Sequence, residues 1–125
     1  MPNEHWKTEP DQTDFEGAAN YLSLILPAPT VGATVAALRT APLAHGEASD
    51  LLRASALRLL GDDDALVRKD LAKVKKGEKL SPVLLVRGSL AGSVPLTVAD
   101  GYHRICAGYA VDEDELVPYR IVDLP

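Results

Sequence analysis

Val83-Leu84-Leu85-Val86 is a run of four apolar, β-favouring residues with no polar interruption. Successive side chains of a strand point to opposite faces, so such a run has no face to offer water and reads as a central strand covered on both sides. Covering both faces requires helices, and the sequence around the run supplies them. A second apolar segment, Leu96 to Ala99, leads into a helix that starts at Tyr102, and Val117 to Val122 reads as a closing strand. This alternation predicts an α/β (α+β) fold: a small mixed sheet of about four strands with helices packed on it, and three N-terminal helices around it or extending from it.

Upstream, residues 1–14 show no apolar periodicity and read as a mobile tail, in which Trp6 is less readily a binding anchor than a residue that folds back onto the body or stays disordered. Phe15, Ala18, Ala19, Leu22 and Ile25 or Leu26 recur at helical spacing, and that helix must stop before Pro27. Thr30 is the expected N-cap of a second helix with Val31, Val35 and Leu38 on one face. His45-Gly46 is a break, Ala48 to Ser55 a third helix, and Leu57 to Leu60 a short strand. These readings divide the chain into a tail (1–14), a helical extension (15–56) and the α/β domain proper (57–125). Asp62-Asp63-Asp64 invites a metal reading, but consecutive carboxylates point in different directions. Acidic residues ahead of a helix are better explained as cap and first-turn charges for the segment Ala65 to Lys76, with Leu66, Leu71 and Val74 as its buried set. Gly77 is placed to close that helix in the left-handed conformation.

Composition limits the partners. In 125 residues, 46% hydrophobic, there is enough apolar material for one folded core, and a formal charge of −5 argues against a broad nucleic-acid surface. The basic residues Arg68-Lys69 and Lys73 to Lys79 are interrupted by Asp70 and Glu78 and read as the solvated face of a helix. A single cysteine, Cys106, forbids an internal disulfide and fits a reducing compartment; it is expected as a small buried hydrophobe. The polar, acidic start and the lack of a long apolar run point to a cytoplasmic protein with no membrane partner. Asp112 to Glu115 reads as a solvated loop.

The chemistry concentrates at Asp100-Gly101-Tyr102-His103-Arg104, where a strand breaks at a glycine and opens directly into a helix. The first N–H groups of a helix lack intrahelical partners and sit at the positive end of its dipole, so a glycine that lets an anion approach, followed by His103 and Arg104, makes a phosphate cradle. A cation in that first turn opposes the dipole, which favours Arg104 facing an anion over a surface pairing with Asp112 or Glu113. Asp100 serves as helix cap or, beside a phosphate, as a general base or a Mg²⁺ ligand. His103 is a phosphate donor, an acid–base group, or simply a hydrogen-bond partner for a neighbouring loop, with Arg104 beside it tipping the balance toward function.

The segment from about Asp70 to Val122, and more loosely 57–123, resembles the ParB/sulfiredoxin-like domain. A helix ends at a glycine and is followed by the strand Ser81-Pro82-Val83-Leu84-Leu85-Val86, a second strand, the Gly-x-His-Arg turn, a helix, and Val117-Pro118-Tyr119-Arg120-Ile121-Val122. The resemblance implies a bound nucleoside triphosphate, ATP or CTP with Mg²⁺, held by Gly101, Tyr102, His103 and Arg104. Lys79 and Ser81, on the loop entering the central strand, are further nucleotide contacts on this reading, and Asp100 and His103 are the catalytic candidates. Tyr102 stands where sulfiredoxins carry their catalytic cysteine, so sulfinic-acid repair is not expected. Two functions follow: a nucleotide hydrolase or phosphotransferase, or a non-catalytic protein-interaction or regulatory module of a bacterial plasmid, phage or toxin–antitoxin setting. A DNA-binding partition role ranks third, because the surface is acidic and no helix-turn-helix segment follows.

Overall fold

The computed structural model describes residues 4–125. Strand β2 (Val83–Val86) is buried at every position and lies inside a four-stranded sheet. It pairs parallel with β4 (Leu116–Val122) on one side and antiparallel with β3 (Thr97–Asp100) on the other, and β1 (Ala44–Glu47) pairs antiparallel with the far side of β4. The resulting order is β1-β4-β2-β3. The fold is therefore the small mixed α/β sheet that the apolar run in β2 implies.

Alternation along β2 divides the core in two. Leu84 and Val86 join Ala99 against α1 (Gln12–Leu22) and α2 (Ala28–Thr40), through Phe15, Ala18, Leu22, Val31, Val35 and Leu38. Val83 and Leu85 face the other way, with Val117, against α3 (Ala48–Ser55) and α5 (Tyr102–Val111), and α4 (Ala65–Lys75) packs on α5. Helices thus cover both faces, and the segment read as a helical extension provides one whole layer and the edge strand β1.

Several local expectations need correction. Leu57 to Leu60 forms no strand: α3 ends at Ala56 in a left-handed conformation (φ 57°), and the chain then runs past α5, where the Leu60 N–H meets the Cys106 sulfur at 3.5 Å. The strand that does form upstream is β1, at the supposed break His45-Gly46, because the free edge of β4 offers it a ladder. α2 begins at Ala28 with Pro27 as N-cap, and Thr30 lies inside its first turn. Proline is at home there, since the N–H it lacks would have no intrahelical partner. α1 starts three residues before Phe15 and stops at Leu22. In α4 the fully buried residue is Val67, whereas Leu66 is half exposed.

The N-terminal segment is not a mobile tail at residues 5–7. Trp6 is 1% exposed, bridges to Leu80 in parallel, and donates its indole N–H to Glu115 at 3.0 Å. The Lys7 N–H and the Leu80 N–H complete this pairing with the carbonyls of Leu80 and His5, at 2.7 and 2.9 Å. No helix among the described residues is long and apolar enough to cross a membrane.

Candidate functional site

The turn between β3 and α5 is shaped by Gly101. Its φ of +112° lies in the left-handed region, and a Cβ there would sit 2.4 Å from Cγ1 of Val83, a residue with no exposed surface. Only glycine meets both conditions. No side chain caps α5, so the N–H groups of its first turn lack a side-chain acceptor.

Arg104 does not face solvent. Its side chain is 16% exposed, with one terminal nitrogen 2.9 Å from Asp100 Oδ2 and 3.2 Å from the Pro82 carbonyl, and the other 3.4 Å from Asp14 Oδ1. Asp14 belongs to the first turn of α1, where its second oxygen accepts the Asp11 N–H at 2.8 Å. The guanidinium therefore ties α1, the entry to β2 and the β3–α5 turn together, and its Nε remains a buried donor with no partner. Burial pushes the Asp100 carboxyl above the usual aspartate range; Arg104 pulls it back down and Asp14 adds to the rise. Pairing with Asp112 or Glu113 is absent because the cation finds two nearer carboxylates in the interior.

Beside this cluster is a polar cavity of about 180 Å³. The β3–α5 turn lines it with Asp100, Gly101, His103 and Arg104, and α4 lines it with Leu66, Lys69, Asp70 and Lys73. His103 is one-third exposed, with Nε2 3.8 Å from Oδ1 of Asp64. Asp70 is raised by burial, with Arg104, Lys73, His103 and Lys69 each drawing it down. Asp64 is the helix cap that the acidic triplet predicts: its Oδ1 accepts the N–H groups of Leu66 and Val67 at 2.9 and 3.1 Å. No group of three or more His, Cys, Asp or Glu among the described residues is placed to hold a metal ion.

Four of the residues singled out in the sequence, Asp100, Gly101, His103 and Arg104, thus meet at one cavity. Tyr102 does not join them; its hydroxyl donates to the Arg58 carbonyl. Lys79 is exposed, Ser81 is buried, and neither lines the cavity. The cysteine thiol is buried and pushed up by that burial, as a structural residue would be. Lys69, Asp70 and Lys73, which in the sequence read as part of a solvated helix face, line this cavity as well. Positions 66, 69, 70 and 73 follow the i, i+3, i+4, i+7 spacing of a single helical face, which places them together without indicating what that face meets. No protein-family model, curated protein or solved structure matches the chain.

Proposed function

We propose that this chain is a small nucleotide-binding protein that takes the phosphate end of a nucleoside triphosphate, ATP or CTP, into the polar cavity between α4 and the first turn of α5. The observation that carries this reading is the convergence of Lys69, Lys73 and His103 on a cavity beside an uncapped helix N-terminus. Ammonium groups, an imidazole and free N–H donors are the partners a phosphate needs, and they gather here on a chain whose net charge is −5. At about 180 Å³ the cavity is smaller than the roughly 300 Å³ at the low end for whole small-molecule sites, so the phosphates enter and the base and ribose lie on its rim. Arg104 acts as a positioning residue that holds the turn. Bound Mg²⁺ would offset repulsion between phosphate and the Asp70 and Asp100 carboxylates, arriving with the nucleotide, since the protein offers no ligand cage of its own among the described residues. A reducing, cytoplasmic setting without DNA or membrane partners belongs to the same reading.

Catalysis would need Asp100 as base and His103 as proton carrier. The 2.9 Å pairing of Asp100 with Arg104 favours the second reading, a regulatory or interaction module of the plasmid, phage or toxin–antitoxin kind that binds nucleotide without turning it over. Calorimetry with ATP, CTP, GTP and ADP, with and without Mg²⁺, tests the binding. A folded Lys69→Ala/Lys73→Ala variant is expected to bind roughly ten- to a hundredfold more weakly, and unchanged affinity would remove the cavity from the argument. Phosphate release by the wild type that disappears in Asp100→Asn supports the enzyme; no release with any nucleotide supports the module.

A further inference from the structure

At the other end of β3 lies a second cavity, of about 830 Å³, bounded by α3, the C-terminal end of β2 and the 88–96 loop. Its volume falls within the range of about 300–1,000 Å³ typical of sites for small organic ligands. Leu51, Leu85, Leu96, Tyr119 and Ile121 give it an apolar lining. The walls are built rather than slack. The 88–96 loop is closed on itself by paired bonds between Ser89 and Val94, each N–H reaching the other's carbonyl at 2.8 Å, and the Leu96 N–H anchors it to the Ala54 carbonyl of α3 at 3.0 Å. Ala56 and Ser93, the two non-glycine residues with left-handed backbone among those described, both line this cavity. Such conformations persist where the surrounding structure enforces them.

Charge at the mouth indicates the occupant. Arg53 and Arg87 stand at the lining, paired with Asp50 at 3.1 Å and with Asp123 at 2.8 Å, and all four side chains are more than half exposed. Exposed pairs of this kind contribute little and exchange readily for another acid. Val94, 55% exposed on the loop, is apolar surface that a ligand body would cover. An extended peptide fits less well, because it would bring a row of backbone N–H and C=O groups against a lining that is mostly hydrocarbon. We propose that this cavity binds an amphipathic monoanion: an apolar body seated on the partly exposed Leu96, Tyr119 and Ile121, ending in one carboxylate that meets Arg53 and Arg87. The inference is independent of the nucleotide reading.

The test is titration of the full chain with decanoate, decanol and decylamine, followed by amide chemical shifts and calorimetry. Decanoate is expected to saturate one site, with decanol about tenfold weaker for want of the charge-assisted contact and decylamine weaker still. Ala54→Trp, at an exposed position of α3 on the cavity wall, should abolish binding of all three while the thermal melt by circular dichroism stays cooperative. Arg53→Gln/Arg87→Gln should lower decanoate to the level of decanol and leave decanol unchanged. ATP in the titration should leave decanoate binding unaltered. Equal affinity for the three probes, undiminished binding in a folded Ala54→Trp, or no saturation below the concentration at which decanoate self-associates would overturn the proposal.

Discussion

Arg104 shows how a residue type can be right for a ligand and still be engaged by the protein. With Asp14 8% and Asp100 22% exposed, removing the guanidinium leaves two interior carboxylates facing each other. Arg104→Ala is therefore expected to destabilise the fold by about 3–5 kcal/mol in urea melts, and addition of Asp100→Asn should recover part of that loss. An undiminished midpoint in the single variant would show that the cluster holds nothing together. Asp70 carries the opposite sign. Burial raises its pKa above 3.8, so the folded chain binds this proton more tightly than the unfolded chain does. The associated cost is absent below about pH 3.8 and is complete once the pH exceeds the raised folded value. Asp70→Asn should accordingly raise the melting temperature at pH 7 and lose that advantage in acid, and it should tighten phosphate binding by removing an anion from the cavity. A lower Tm at neutral pH would show that the attraction of Arg104 and the neighbouring cations for its carboxylate outweighs desolvation.

At the scale of elements, two glycines separate backbone strain from crowding. Gly77 (φ +80°) follows α4 and has nothing within 4 Å of a built Cβ. Its N–H bonds the Val74 carbonyl at 3.0 Å and the Glu78 N–H bonds the Lys73 carbonyl at 2.9 Å, a Schellman closure. Gly77→Ala should cost only the conformational term, about 1–2 kcal/mol, whereas Gly101→Ala adds a collision with buried Val83 and should cost more, with the β3–α5 turn displaced. Equal losses in chemical denaturation would refute the distinction. The same elements show what sequence can and cannot disclose. β2 was legible because burial on both faces leaves a continuous apolar run, and α4's termini were legible because Asp64 and Gly77 act on their own neighbours. β1 was not, since Ala44-His45-Gly46-Glu47 has no strand pattern and becomes a strand only through the edge of β4. Likewise, no local feature reveals that the face of α4 carrying Lys69 and Lys73 looks onto the turn before α5.

For the molecule as a whole, Trp6 joins the N-terminal segment to the core. Its ring packs on α5 so closely that a Cβ on Gly108 would lie 3.2 Å from it. Trp6→Ala should cost about 3–5 kcal/mol, and limited proteolysis of that variant should cut first within residues 5–11. Resistance equal to wild type would place the segment outside the cooperative unit. The position of β4 has a further consequence. As the last strand in sequence it lies between β1 and β2, and β1 has no other partner in the sheet. On a ribosome, which delivers the chain from its N-terminus, β2 and β3 can meet as a hairpin early, but β1 waits until some seventy later residues have emerged. Until Leu116–Val122 clears the exit tunnel, the edge of β2 that β4 will occupy keeps its N–H and C=O groups unpaired, a template on which another strand can add.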